Sequence, residues 1–236
     1  NTAVGYQALD VNTTGGYSVA LGKSALGANT TADYNVAVGA DSLLTNTTGS
    51  YNVAMGYRSL EKNTTASDNT AFGYYALREN TTGTRNVAVG TGALDANTTA
   101  DDNTGVGVDA LGNCTTGHSN TSVGKDSTKT CTTGHSNTAV GRHSLTAITT
   151  GAENTGIGVD SGLYITTGDG NIMLGKSAGT INSPSGQITT HDTRVCIGSN
   201  SITNCYIKVD WTVTSDRRDK TDITPFNHGL SWINKL

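Results

Sequence analysis

The chain contains little charge, few aromatic residues and almost no proline. Of 236 residues, 14% are charged, 6% are aromatic and 2 are Pro. Disordered chains are rich in charge and Pro, so this composition argues against disorder. The sequence has no run of about 18 apolar residues, which argues against membrane insertion. Its net charge of -4 argues against the basic surface that nucleic-acid binding requires.

Threonine, asparagine and glycine are abundant instead, with 41 Thr, 22 Asn and 30 Gly. Glycine recurs every 17 residues along most of the chain, at Gly5, Gly22, Gly39, Gly56, Gly73, Gly90, Gly107, Gly124, Gly141, Gly158 and Gly175. A fixed period of this kind is the signature of a repeat protein. The chain therefore contains eleven units in strict register, and we number the positions of each unit from Asn1.

Positions within the unit differ in how freely they vary. The fourth is always apolar, the ninth is Leu in eight of eleven units, and the third and eighth are mostly Ala, Ser or Gly. Such fixed large and small residues are expected in an interior packed layer on layer. The sixth, seventh, tenth, eleventh, sixteenth and seventeenth positions vary, as solvent-facing positions do. Gly at the fifth position and Asn-Thr-Thr-Gly at the twelfth to fifteenth predict turns with positive φ.

This pattern predicts an all-β fold, a parallel β-roll or β-solenoid of 17-residue coils. We expect residues 1–193 to form the roll, with an insertion near 182–187, and residues 194–215 to form a short β neck at its C-terminal end. One coil has only two or three large apolar side chains, which is a thin core. We therefore expect an apolar flank to be buried against other copies of the chain around a threefold axis, in a homotrimer.

The units also carry a family resemblance. SVALGKSALGANTTADYNVAVGADS resembles the head repeats of trimeric autotransporter adhesins, and the NTAVGYxAL repeats resemble those of phage tail fibre proteins. The resemblance covers residues 1 to about 180. It implies a trimeric β-roll in a virion tail fibre, extracellular when it functions, that binds other tail proteins and a host receptor, expected to be a glycan. The alternative is the head of a bacterial trimeric cell-surface adhesin.

A second resemblance begins near the end of the chain. The segment TSDRRDKTDI resembles the start of the endosialidase-type intramolecular chaperone, so residues 216–236 would begin that domain. The resemblance implies autocleavage between Ser215 and Asp216, with Ser215 as nucleophile and Lys220 as base. A Ser hydroxyl needs such a base, and a Lys desolvated at an interface can serve. The alternative is an exposed charged turn.

Apart from this self-cleavage we predict no enzyme activity, no cofactor and no metal. The acids that recur at the seventh position form a row rather than the pair with different environments that a glycosidase uses. Cys114 and Cys131 occupy one position of neighbouring coils, and buried free thiols are favoured over a disulfide. His118 and His135 also share a position, and exposed turn residues are favoured over metal ligands.

Two recurrent surface signals have competing interpretations. The Asn-Thr-Thr sequence is also a glycosylation sequon, but glycans on successive coils would clash, so a stacked row of Asn is favoured. The sequons begin at Asn12, Asn29, Asn46, Asn63, Asn80 and Asn97. Tyrosines cluster at variable positions of the first five units, where they could stack on sugars or cover thin corners. These are Tyr6, Tyr17, Tyr34, Tyr51, Tyr57, Tyr74 and Tyr75.

Overall fold

The computed structural model describes residues 1–204, of which Asn1–Ile202 form one compact unit. Regular secondary structure in this part of the chain consists of twelve β-strands of three residues each. They are β1 (Thr2–Val4), β2 (Val19–Leu21), β3 (Val36–Val38), β4 (Val53–Met55), β5 (Thr70–Phe72), β6 (Val87–Val89), β7 (Thr104–Val106), β8 (Thr121–Val123), β9 (Thr138–Val140), β10 (Thr155–Ile157), β11 (Ile172–Leu174) and β12 (Val195–Ile197).

The strands stack in chain order into one parallel sheet. From β1 to β11 each residue lies opposite the residue 17 positions later, as Thr2 lies opposite Val19. Between β11 and β12 the interval is 23, since Ile172 lies opposite Val195. The chain is therefore a β-solenoid, and the predicted coil length of 17 residues is confirmed.

The fifth-position glycines end the strands. Gly107 has a φ of 136°, a conformation that L-residues rarely adopt. A Cβ atom placed there would lie 2.6 Å from the carbonyl carbon of Gly124 in the next coil. Glycine is needed at this position both for the turn and for the close approach of successive coils.

Third- and ninth-position side chains line the interior. The third-position alanines are buried, namely Ala20, Ala37, Ala54, Ala71, Ala88 and Ala139. Leucines at the ninth position face these alanines. Gly105 occupies the third position of its coil, and a Cβ atom placed there would lie 3.4 Å from Cγ of Leu94. The narrow space between them accepts a small residue on the strand and a Leu opposite.

Fourth-position side chains face outward, so the expectation that they belong to the interior was wrong for the single chain. Phe72 is 39% exposed, whereas its strand neighbour Ala71 is fully buried. Successive strand residues point to opposite faces. The first position points to the interior, because Asn69 is buried there, and the third position, Ala71, lies on the same side. The second and fourth positions therefore share the outer face.

The ninth-position leucines adopt positive φ values, which the sequence did not indicate. Leu77 has a φ of 51°. That conformation costs roughly 1–2 kcal/mol for an L-residue. Burial of a Leu side chain stabilises by about 1.5–3 kcal/mol, so burial of Leu77 offsets the strain.

Two rows of Asn side chains run through the interior as hydrogen-bonded ladders. At the twelfth position Asn63 Nδ2 donates to Asn46 Oδ1 at 2.8 Å and to the Ala66 carbonyl at 2.9 Å. At the first position the backbone N–H of Asn69 donates to Asn52 Oδ1 at 3.1 Å. The prediction of positive φ at the twelfth-position Asn was wrong: among residues 1–204, non-glycine residues with positive φ occupy the seventh, ninth and seventeenth positions. These Asn residues stack coil on coil instead of forming the corners.

The insertion lies between β11 and β12, where the Ile188 N–H donates to the Gly179 carbonyl at 2.9 Å and closes the extra loop. The first strand of the predicted neck, Val195–Ile197, pairs with β11 in the same sheet and extends the solenoid. Residues 205–215 of the predicted neck and the predicted chaperone segment 216–236 lie outside the described residues.

Candidate functional site

The predicted self-cleavage residues lie outside the described part of the chain. Ser215, Asp216 and Lys220 all follow residue 204, so the scissile bond and its Ser-Lys mechanism stay predictions. The candidate site that the structure does describe is the outer face of the sheet, which we call the strand face. It consists of the second- and fourth-position side chains of β1 to β12.

The fourth-position row of the strand face is apolar in every coil, whereas half of the second-position residues are Thr. Nine of the twelve fourth-position side chains are between 37% and 57% exposed: Val4, Leu21, Met55, Phe72, Val89, Val123, Val140, Ile157 and Ile197. The second position adds Val19, Ile172 and Val195. Twelve strands about 4.8 Å apart give a face roughly 55 Å long. A face of that length and about 10 Å wide covers roughly 500 Å², about the size of the largest apolar patch on an ordinary monomer, which is often a functional surface.

Tyrosines at the seventeenth position form a stack beside the strand face. The ring centroids of Tyr17 and Tyr34 are 4.9 Å apart, those of Tyr34 and Tyr51 are 5.2 Å apart, and each pair is within 6° of parallel. The rings cover one another's faces, so a sugar could stack only on the outer faces of Tyr17 and Tyr51. The hydroxyl-bearing edges of all three rings remain available for hydrogen bonds.

A second aromatic cluster lies just after β4 and β5. The Tyr57 and Tyr74 rings are 5.5 Å apart, and the Tyr74 and Tyr75 rings are 4.0 Å apart. Arg58 lies over the Tyr57 ring at 5.1 Å and Arg78 over the Tyr75 ring at 4.5 Å, both within cation–π range. This cluster combines exposed aromatic rings with guanidinium groups on one corner of the solenoid.

The same corner continues as a row of ion pairs. Lys129 Nζ lies 2.9 Å from Asp109 Oδ2 and 2.8 Å from Asp126 Oδ1, and His143 lies 3.5 Å from Asp126 and 3.2 Å from Asp160. The hydrogen bond from Lys129 holds the pKa of Asp126 below its ordinary value. Asp109 and Asp126 are thus engaged by Lys129, and Asp160 by the imidazole of His143, rather than paired with a second acid.

His118 and His135 stack with ring centroids 5.0 Å apart and 3° from parallel. His118 is exposed, as predicted, whereas His135 is half-buried. Rings stacked face to face point their nitrogens side by side rather than at a shared ion. Residues 1–204 contain no group of three or more His, Cys, Asp or Glu side chains that could hold a metal ion.

The prediction of buried free thiols at Cys114 and Cys131 is confirmed. Their sulfurs donate to the carbonyls of Gly117 and Gly134 at 3.2 and 3.3 Å. The hydrogen-bonded contact with Cys131, together with burial, raises the pKa of the Cys114 thiol well above its ordinary value. A thiol held protonated in this way is a poor nucleophile and a packing residue.

Asn residues of the sequons are interior residues. Five of the six are fully buried, namely Asn29, Asn46, Asn63, Asn80 and Asn97, and the predicted stacked row is confirmed. The first-position Asn ladder was missed, although Asn at the first position of most units was a visible signal. No helix among the described residues is long and apolar enough to span a membrane.

Comparisons of the chain with protein-family models, with curated proteins and with solved structures find no match.

Proposed function

We propose that this chain is the structural and host-receptor-binding part of a trimeric phage tail fibre, matured by autocleavage between Ser215 and Asp216. The observation that carries the proposal is the exposed apolar strand face, which runs the length of the solenoid. In water such a face is stabilised by burial against a partner.

The spacing of the strand face favours a partner of the same kind. Its side chains repeat once per coil, about 4.8 Å apart, over twelve strands. A partner whose side chains pack between these along the whole length must have the same spacing between its own side chains. A second copy of the chain has that spacing. Closed assembly about a common axis then covers the face on every copy. The number three comes from the resemblance to tail fibre repeats.

Receptor binding belongs to the surfaces that vary from coil to coil. The sixth, seventh and seventeenth positions differ between coils, while the interior rows are nearly uniform. The tyrosine stack and the tyrosine–arginine cluster supply aromatic edges and donors, groups that suit a glycan receptor. The buried interior rows hold the coils together, so these outer side chains can change without loss of the fold.

The proposal is tested by the mass of the full chain and two matched variants. Val89→Asp places a charge on the strand face, and Val11→Asp places the same charge on an exposed position away from it. We expect wild type and Val11→Asp to have three times the chain mass by light scattering, and Val89→Asp to dissociate with its circular dichroism unchanged. A monomeric wild type would refute the proposed assembly.

Self-cleavage is tested on the product of the complete gene. We expect chains that end at Ser215 in the wild type and uncut chains in Ser215→Ala, measured by intact mass. A Lys220→Met variant should also remain uncut, because the Ser hydroxyl would lose its base. Cleavage that persists in both variants would remove the Ser-Lys mechanism.

A further inference from the structure

The coil between β11 and β12 is the irregular one, and it contains a cavity. Its 23-residue interval includes six residues more than the 17 of the other coils. The extra loop folds back on itself through hydrogen bonds from the Ser183 N–H to the Thr180 carbonyl and from the Gly186 N–H to the Ser183 carbonyl. Beside it lies a cavity of about 170 Å³.

Four of the five residues that line this cavity carry a hydrogen-bond donor, and all four are exposed. The cavity is lined by Ser185, Gln187, Ile188, His191 and Arg194. Ile188 is buried and forms the apolar base, while the other four carry a hydroxyl, a carboxamide, an imidazole and a guanidinium. None of the lining residues is an acid. The wall is therefore suited to a group that accepts hydrogen bonds and carries negative charge.

The side chains of Arg194 and His191 are attached to backbone that is held by hydrogen bonds. The Arg194 N–H donates to Asn171 Oδ1 at 3.0 Å, and the Arg194 carbonyl accepts from the Ile172 N–H at 2.7 Å. The His191 carbonyl accepts from Asn171 Nδ2 at 2.7 Å. Arg194 stands at the first position of its coil, where most coils bury an Asn. Asn171, the last Asn of this ladder, thus positions the backbone of both Arg194 and His191, whose side chains line the cavity.

Within residues 1–204, neither Arg194 nor His191 takes part in an ion pair. The ion pairs found there use other cations: Arg58, Lys62, Arg78, Arg85, Lys125, Lys129 and His143. The acid that lies between them in sequence, Asp192, turns one oxygen to the preceding coil, where Asp192 Oδ1 accepts from the Asp169 N–H at 2.8 Å. The guanidinium of Arg194 is therefore open to a ligand.

We propose that this cavity binds a compact oxyanion, the carboxylate or phosphate group of an acidic sugar. Arg194 would pair with two oxygens of the anion at once, as a planar guanidinium does with carboxylate and phosphate. His191 and Gln187 would donate to the remaining oxygens, whereas the Ser185 hydroxyl is already engaged with Ser183 Oγ and Cys196 Sγ. The cavity volume admits the anionic group and at most one sugar ring. This inference takes its ligand class from the proposed receptor-binding role, but the binding itself does not require a trimer.

Three matched sugars test the proposal by isothermal titration calorimetry on the full chain: glucuronate, glucose 6-phosphate and neutral glucose. We expect saturable binding of one or both acidic sugars and none of glucose. Arg194→Gln should weaken the binding by at least about tenfold, because the paired guanidinium is lost. Arg142→Gln removes an exposed arginine outside the cavity and should bind as wild type does.

The outcomes separate the two acids and the two proposals. Binding of glucuronate alone assigns a carboxylate, and binding of glucose 6-phosphate alone assigns a phosphate. Equal affinity in wild type and Arg194→Gln, or equal binding of glucose, overturns the inference. A chain that is monomeric by light scattering yet binds an acidic sugar would refute the proposed assembly and leave this site standing.

Discussion

Substitution of a fifth-position glycine by alanine is expected to destabilise the solenoid strongly. In Gly107→Ala the new Cβ would lie 2.6 Å from both the carbonyl carbon and the carbonyl oxygen of Gly124. These are backbone atoms, so they cannot rotate away, and the two coils must move apart. The residue would also have to keep a φ of 136°, which is unfavourable for alanine.

The magnitude follows from these two effects. A non-glycine residue in this region of φ costs about 1–3 kcal/mol, and forced overpacking costs about 1–3 kcal/mol. The lower entropy of the unfolded Ala chain offsets about 0.4–1 kcal/mol. The net destabilisation is therefore roughly 3 kcal/mol, or a fall in Tm of about 6–12 °C for a chain of this size.

Gly112→Ala is the matched control in the same coil. Gly112 does not have a positive φ, and its new Cβ would approach the Asp109 carbonyl oxygen no closer than 3.3 Å. We expect a change of less than about 1 kcal/mol. The assay is thermal unfolding followed by circular dichroism at one chain concentration, because the proposed assembly would make Tm depend on concentration. The reasoning would be refuted if Gly107→Ala melted within 2–3 °C of Gly112→Ala, about 1 kcal/mol.

Two further predictions concern the interior ladder and the surface ion pairs. Asn80→Ala should destabilise by about 2–5 kcal/mol, because it removes the donor of two buried acceptors, Asn63 Oδ1 and the Gly83 carbonyl, and one acceptor of the Asn97 amide. Cys114→Ala in the same row should cost about half as much or less, since its thiol makes one weak hydrogen bond, and equal urea midpoints would contradict this. Lys129→Met should lower Tm at pH 7 but not at about pH 2. Because the pKa of Asp126 is lowered in the folded chain, the ion pair stabilises the fold fully above the ordinary Asp pKa near 4, and this stabilisation is lost as the pH falls through the lowered pKa. A difference in Tm that stayed constant from pH 7 to pH 2 would contradict this prediction.

The Tyr17 stack and the tyrosine–arginine cluster show that neighbouring coils decide which parts of a tyrosine ring are accessible. These tyrosines are exposed except Tyr75, which is half-buried. Whether its ring face is free depends on the residue 17 positions away, because an in-register stack places the two side chains about 5 Å apart. The Tyr17 row therefore presents edges, while the residues around Tyr57 present tilted rings and guanidinium groups.

The sequence alone determined the period, the parallel stacking and the turn at the fifth-position glycine. Gly recurs every 17 residues, and a coil of that length with short apolar segments between turns can stack only on identical neighbours. The buried state of Cys114 and Cys131 was likewise predictable, because the row they share continues as Ile148 and Ile165. In a repeat protein, the residues that share one position of the unit therefore predict whether that position is buried better than any one of them does.

Only the tertiary structure decided which side of each strand faces inward. Both sides carry residues that could be buried, Ala and Asn on one and Val, Leu or Phe on the other, so alternation alone did not choose between them. The choice depends on the space across the coil, which the ninth-position leucines such as Leu94 fill so completely that only a small third-position residue fits. The amides of Asn69 and its row then complete that side with hydrogen bonds. The larger apolar side chains are left on the outside, and that is why the strand face exists.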